Sequence, residues 1–380
     1  MRESRRAFFY VGTALEPFES QMMNQSGFRS SKHAKTLSKE IERLNAERRT
    51  RIVHVCGTHE DTISRHGLRS MLPEGISLVA GPGCPVCVCS AQDVDVAVEL
   101  ARQGRTVTTF GDMIRVPSTD SSLAKERSAG ADIRVVYGVS EAVEIARRNP
   151  DCKVVFIGVG FETTAPTIAA EVLRGPPSNF SVLTSLKVIP PAMEILVDID
   201  DFGVDGFITP GHVSAIIGSD AFQPFAQKHR VPCVVAGFEP LDVLESVRMI
   251  LQQINDGRAD SENEYTRVVR PEGNVAAQAV LDKVFQLGDA SWRGLGVISD
   301  SGYYLREEYG EYDARLCFEI PPKESVDILP GCRCHEVILG ITDPNECALF
   351  GKRCTPEDPY GPCMVGHEGT CRIRHEYPDI

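Results

Sequence analysis

The sequence predicts an α/β protein: two similar parallel-sheet α/β lobes flanking a cleft, followed by an irregular C-terminal domain. Three observations predict it. Short apolar strands alternate with helical patterns from about residue 31 to residue 255, as in a parallel sheet covered by helices. Polar, Gly-containing signatures stand directly after those strands, and sites in open α/β sheets form outside the carboxyl ends of the strands. Beyond Pro321-Pro322 the periodicity gives way to Gly, Pro and Cys, a composition that buries little apolar surface without covalent or metal staples.

The elements are expected in this order. Ser31–Arg48 is a helix with Leu37, Ile41 and Leu44 on one face. Arg51–Val55 is a strand running into Cys56-Gly57-Thr58-His59-Glu60, and Asp61–Met71 is helical. Ile76–Ala80 is a strand broken by Gly81-Pro82-Gly83, which leads into Cys84-Pro85-Val86-Cys87. Asp93–Gln103 is a helix, and Thr106–Phe110 and Asp132–Tyr137 are strands, the first ending in Gly111-Asp112. The pattern then restarts. Glu141–Arg148 is a helix and Lys153–Ile157 a strand, which ends in Gly158-Val159-Gly160-Phe161-Glu162-Thr163-Thr164-Ala165-Pro166 before a helix to Arg174. Val182–Val188, Gly206–Ile208 and Val231–Ala236 are strands, the last two ending in Thr209-Pro210-Gly211-His212 and Gly237-Phe238-Glu239. Asp242–Asn255 and Val275–Leu287 are helices, the second followed by Trp292 and a Gly-rich link. The expected divisions are an N-terminal extension at 1–26, lobes at 27–145 and 146–257, and a C-terminal domain at 258–380.

Charge and hydropathy exclude some function classes. The net charge of −13 is dispersed and no lysine or arginine block is present, so nucleic acid is not an expected partner. No apolar run approaches the roughly 18–20 residues of a membrane span. The apolar part of Met1–Tyr10 is short and Glu16 and Glu19 follow it, which argues against export. The expected compartment is the reducing cytoplasm, where 13 unevenly placed cysteines point to metal or redox chemistry.

Cys56 follows a strand with His59 and Glu60 close by. A thiol beside an imidazole can ionise to a nucleophile and soft metal ligand, although a buried cysteine can also be a small hydrophobe. The nearby Cys84/Cys87 pair favours function; that pair can close a disulfide, hold a metal, or do both at different stages. Glu162, His212 and Glu239 accompany strand-end glycines, and His212 reads equally as a ligand, an acid/base group or a structural residue. Gly158-Val159-Gly160 lacks the third glycine of a dinucleotide fingerprint. Cys332, Cys334, Cys347, Cys354, Cys363 and Cys371 lie within 40 residues, threaded through Gly and Pro. Four thiolates on such a backbone suit a [4Fe–4S] cluster or a structural zinc, and the wide spacings favour an iron–sulfur domain. Six thiols exceed the four a cluster needs, so two could form a redox pair.

From about Lys32 to Cys371 these motifs, in order, closely resemble the HypD family of [NiFe]-hydrogenase maturation scaffolds. The resemblance rests on Cys56–His59, Gly81–Cys87, Gly160–Pro166, Pro210-Gly211-His212-Val213-Ser214, and a tail from Cys347-Ala348-Leu349-Phe350-Gly351 through Gly361–Val365 to Glu368-Gly369 and Cys371. It implies two similar α/β domains plus a C-terminal [4Fe–4S] domain. It implies a chain that, with HypC, carries a transient Fe(CN)2(CO) unit destined for a hydrogenase large subunit, with HypE delivering the cyanide. Cys56 would bind that iron, shared with a HypC cysteine, and Cys84 and Cys87 would be the redox pair beside it. The family's cluster spacing falls on Cys332, Cys347, Cys354 and Cys371, leaving Cys334 and Cys363 as a relaying thiol pair. His59, Glu162, His212 and Glu239 would orient ligands or move protons. The sequence departs from the family in having Glu60-Asp61 where many relatives place a second histidine, His335 where Gly is common, and Gly366 where Ser is common. An alternative is a stand-alone iron–sulfur thiol–disulfide oxidoreductase; a zinc-stapled interaction module is a third reading. Cys89 and residues 1–26 receive no role.

Overall fold

The computed structural model describes residues 28–378 except 47 and 201. Its strands are β1 (Thr50–His54), β2 (Ile76–Ala80), β3 (Thr106–Thr109), β4 (Ile133–Val135), β5 (Val154–Gly160), β6 (Phe180–Lys187), β7 (Gly206–Pro210), β8 (Cys233–Ala236), β9 (Ser261–Asn263), β10 (Phe285–Trp292) and β11 (Gly296–Leu305). They form a five-stranded sheet in the order β2-β1-β7-β8-β9 and a six-stranded sheet in the order β10-β11-β6-β5-β3-β4. Every pairing in the first sheet is parallel; in the second, β11 runs antiparallel to both its neighbours, β10 and β6, and the other pairings are parallel. The expected two-lobe α/β architecture is therefore present.

Both sheets are covered on two faces, and the period of two along each strand assigns the faces. In β1, Ile52 packs with Leu78, Ile208 and the helices Ser31–Asn45 and Pro240–Asp256, while Val53 and Val55 point into the opposite core. In β5, Val154 and Phe156 pack against Val139–Arg148 and Ala165–Leu173, while Val155, Ile157 and Val159 face Ala91–Arg102. The helix starts follow local chemistry. Ser90 caps Ala91–Arg102 by accepting from the Asp93 N–H at 3.1 Å, and Pro240 opens Pro240–Asp256 at a position that needs no N–H donor.

The division expected at residue 145 does not separate the sheets. β3 pairs with β5, with Thr106 opposite Val154, and β1 pairs with β7, with Ile52 opposite Gly206. The chain leaves the first sheet after β2, builds β3 to β6 of the second, and returns for β7 to β9. A strand buried on both faces reads as a strand but carries no label for its partner. The span 258–380 is not one unit either, because β9 closes the first sheet and β10–β11 extend the second. The helix at Val275 ends at Val284, and residues 285–287, expected to be its last turn, begin β10. The β10–β11 hairpin was not foreseen: its outer face is exposed and Gly288 and Gly302 interrupt it, so its alternation is weak.

A core cluster bridges the lobes and the C-terminal segment. It joins Val53, Val55, Phe207 and Val213 to Cys84, Cys87, Phe161 and Trp292, and then to Cys334, Cys354, Cys363 and Cys371. Residues 27–145 hold only β1–β4, whose central partners β7 and β5 come later. That fragment, expressed alone, is expected to show the narrow amide proton dispersion of an unfolded chain, whereas the full chain gives a dispersed spectrum.

Candidate functional site

Cys56 ends the segment after β1 and caps the helix Gly57–Arg65, its own φ and ψ being −152° and 128°. The cysteine turn lies directly on it. The Gly57 N–H donates to the Gly83 carbonyl at 3.1 Å, and a Cβ on Gly83 would come within 2.2 Å of the Cys56 nitrogen and the Val55 carbonyl carbon. Only glycine permits that approach. It sets down the short helix Pro85–Val88 with Cys84 and Cys87 joined in a disulfide, their Cα atoms 5.3 Å apart.

The C-terminal segment closes the other side. A Cβ on Gly57 would stand 2.4 Å from the Cβ and carbonyl oxygen of Glu368, and the Thr58 hydroxyl donates to the Glu368 carboxylate at 3.1 Å. Burial pushes the Cys56 thiol up to about 12, and the negative charge of Glu368 adds to it, against the N–H groups of His59 and Thr58 at the helix start. The Cys56 thiol is therefore held protonated, and a cation binding it would have to displace that proton. Burial also raises Glu368, with Asp112 contributing like charge.

His59 is buried. Its Nε2 lies 3.0 Å from the Gly237 carbonyl, while its Nδ1 has no partner among the described residues. Burial, then the neighbouring His54, lowers it to about 3, so its imidazole is neutral. Phe238 links the two motif histidines, its ring centroid 4.9 Å from His59 and 4.0 Å from His212. His212 is exposed. Glu60, the residue after His59, turns inward. It pairs with Arg69 at 2.6 Å and His54 at 2.8 Å, and these partners outweigh its burial to hold the carboxyl below the usual range.

The six C-terminal cysteines line one small apolar cavity with Val337, Leu349, Phe350, Gly361 and Met364. Backbone N–H groups point at sulfur there, Cys371 to Cys363 Sγ at 3.2 Å and Tyr360 to Cys354 Sγ at 3.3 Å. A Cβ on Gly361 would lie 2.7 Å from Cys332 Sγ. The thiols interact as Cys332 with Cys334 and Cys363 with Cys371, which lowers Cys332 and raises Cys334 and Cys371.

Comparison with known proteins fits these motifs. A family model named HypD, described as the hydrogenase formation hypA family, matches residues 32–378. The chain belongs to the HypD family. It is 46% identical over 352 residues to a putative hydrogenase expression/formation protein of Methanocaldococcus jannaschii, covering 90% of this chain and 98% of that one. It is 39% identical to hydrogenase maturation factor HypD of Azotobacter vinelandii, covering 92% and 95% of the two chains. It is 42% identical to hydrogenase maturation factor HypD of Escherichia coli, covering 87% and 90%.

In this HypD-family chain the strand-end signatures gather unequally around Cys56. Cys84, Cys87 and His59 are close to it, and His212 joins through Phe238. Glu162 follows β5 of the second sheet, where its Oε1 accepts from the Ile189 N–H at 2.9 Å and so caps Ile189–Val197. Glu239 turns outward to Arg29 at 2.6 Å. Sequence reasoning quoted Glu368 and Asp112 within motifs without assigning either to the site. Their only signal was membership of a motif, because the C-terminal segment reaches Cys56 solely through the tertiary fold.

Glu162 is fully buried, its Oε2 has no partner among the described residues, and burial lifts its carboxyl to about 7. A folded-state value above the unfolded one adds stability below about pH 4.5, and that contribution is lost as pH rises through about 7. Glu162→Gln, neutral at every pH, is expected to flatten this part of the stability profile. In urea titrations at pH 8 it should gain up to about 3 kcal/mol over the parent, from roughly 1.4 kcal/mol per pKa unit.

Proposed function

We propose that this protein is a hydrogenase maturation factor on which an Fe(CN)2(CO) unit is assembled at Cys56. One observation carries the reading: a dithiol turn lies backbone to backbone on Cys56 and, through its other side, against the C-terminal cysteines. Val86, between Cys84 and Cys87, faces Gly366, where a Cβ would be 3.4 Å from its own Cβ, and Cys363 shares a core with both cysteines.

Cys56 is the iron ligand in this reading, since a thiolate suits low-spin ferrous iron. Its protonated resting state makes iron capture release a proton, and Glu368, 3.1 Å from Thr58, stands ready to take it. The neutral His59 ring donates from Nε2 to the Gly237 carbonyl, so its Nδ1 is a bare acceptor that would orient a hydrogen-bond donor, such as a water, beside that iron. A HypC-type partner would share the iron and a HypE-type partner would supply cyanide.

The C-terminal cavity fits a [4Fe–4S] cluster by its donors: soft thiols, a dry apolar wall and N–H groups aimed at sulfur. Among the described residues no three donors stand as ligands to a single metal ion. Cube ligands lie farther apart because each binds a different iron. Cys332, Cys347, Cys354 and Cys371 would hold the cluster, which supplies one-electron transfer when bound. Cys334 and Cys363 would pass electrons on by thiol–disulfide exchange. Opening the Cys84–Cys87 disulfide takes two electrons and two protons and leaves two thiols beside the iron.

A second reading, a stand-alone iron–sulfur thiol–disulfide oxidoreductase, is favoured by that disulfide alone. It predicts turnover of a small disulfide substrate without partners, which the scaffold reading does not. Anaerobically purified protein is expected to carry about four irons and four acid-labile sulfides per chain; zinc without sulfide would overturn the cluster assignment. Cys56→Ala, co-purified with a HypC-type partner, is expected to lack the cyanide and carbon monoxide infrared bands that the parent complex shows. Persistence of those bands would remove Cys56 from its role.

A further inference from the structure

The loop Gly237-Phe238-Glu239, which follows β8, is held by three charged side chains that play no part in the site so far. The Gly237 N–H donates to Glu264 Oε2 at 3.0 Å, and the Glu239 N–H donates to Asp242 Oδ2 at 3.0 Å. Arg267 reaches both carboxylates: Nη2 donates to Asp242 Oδ2, and Nη1 stands 3.7 Å from Glu264 Oε1. Its guanidinium lies against the rings of Phe28 and Tyr265, 4.4 Å from each centroid. The loop packs so closely on this group that a Cβ on Gly237 would come within 2.1 Å of Asp242 Oδ2 and 2.8 Å of Arg267 Nη2.

The same loop carries the motif histidines. The Gly237 carbonyl accepts from His59 Nε2 at 3.0 Å, the Phe238 carbonyl accepts from the Thr62 hydroxyl at 2.7 Å, and the Phe238 ring lies against His59 and His212. Glu264 therefore grips Gly237 through its N–H, and Gly237 grips His59 through its carbonyl. The place of that carbonyl decides which ring nitrogen carries the proton and which way Nδ1 faces.

Two carboxyls meet one guanidinium here, with Asp242 buried and Glu264 nearly so. Like charges this close and this shielded from water favour one proton held between them. A protonated Glu264 would also be a donor to Asp242, whose Oδ1 has no partner among the described residues. Burial, then the charge of Asp242, raises Glu264 to about 7, against the Gly237 N–H and Arg267. Of the other groups around the loop, Glu239 is held below its usual range by Arg29, His66 and His212 are lowered by burial, and Tyr265 is raised by burial.

We propose that Glu264 and Asp242 share one proton against this loop and, through Gly237, seat the His59 imidazole. Loss of that proton puts a charged acceptor on the Gly237 N–H, which makes a stronger bond than a neutral carboxyl does, so the seat tightens as Glu264 ionises. Glu264, Asp242 and Arg267 are positioning residues that act on the Cys56 site only through the loop. The consequence for iron rests on the reading above, in which His59 orients a donor beside the metal; the seat itself does not.

The test follows the imidazole nitrogens of His59 by NMR in full-length protein labelled with 15N-histidine, the signal being assigned by its loss in His59→Gln. Between pH 6 and 9 the parent is expected to keep its proton on Nε2, while the Nδ1 resonance moves along a titration curve with its midpoint at about 7. Glu264→Gln keeps an acceptor for the Gly237 N–H at every pH. It is expected to retain the Nε2–H form and to lose most of that movement. Asp242→Asn removes the like charge and is expected to lower the midpoint by at least half a pH unit, about threefold in proton affinity. The other tautomer, no movement in the parent, or movement of full size in Glu264→Gln would overturn the proposal, as would an unchanged midpoint in Asp242→Asn. Should Glu264→Gln not fold, the Asp242→Asn midpoint decides; failure of both to fold would make the group a structural clamp and overturn the proposal too. Absence of cyanide and carbon monoxide bands from the parent's complex with a HypC-type partner would instead remove the iron reading and leave the histidine result standing.

Discussion

The structure depends on one close approach, Gly83 against Cys56. The backbone at the end of one strand lies on the backbone at the end of its neighbour, with no room for a single carbon between them. β1 and β2 are parallel neighbours, so their carboxyl ends emerge side by side. Glycine turns that proximity into contact, and the hydrogen bond from Gly57 to Gly83 fixes it. A disulfide-bearing turn is thereby held over a buried thiol, and the C-terminal segment has a surface on which to dock.

Three glycines repeat the device. Gly57 admits Glu368, Gly361 admits the sulfur of Cys332, and Gly369 packs against the Cys363 carbonyl, where a Cβ would be 2.1 Å away. Each removes a side chain where the C-terminal segment meets a cysteine or its carrier helix. That segment has little regular structure, but it need not stand alone, because its buried cysteines belong to the core that unites both sheets. The sulfur cavity is built as a joint between lobes and not as an appended module.

Electrostatics divide the site into regions with different tasks. Around Cys56, burial dominates: the thiol and Glu368 are pushed toward their protonated forms and His59 is held neutral. Such a pocket is charge-poor when empty and gains most from a cation. Beneath it, Glu60 is held by Arg69 and His54 in a compact polar group that anchors the carrier helix. Around the C-terminal cysteines, backbone N–H groups aimed at Cys363 and Cys354 supply positive potential, which suits sulfur that carries negative charge.

By itself the sequence determined the strands and helices, the strand-end position of the reactive residues, and the grouping of the cysteines. These are local properties: a buried strand such as Ile76–Ala80 announces itself by composition, and Gly81-Pro82-Gly83 announces its end. The motif order also identified the family. Only the tertiary structure decided that β1 pairs with β7 and β3 with β5, because strands buried on both faces carry no label for their partners. It alone brought Glu368 to the helix that Cys56 caps and Asp112 to Glu368, made Glu162 a helix cap and turned Glu239 outward to Arg29. The β10–β11 hairpin, half exposed and interrupted by glycines, was too weak a pattern to read. Contacts between residues 200 or more positions apart arise from how the sheets are wound, and no window of sequence contains them.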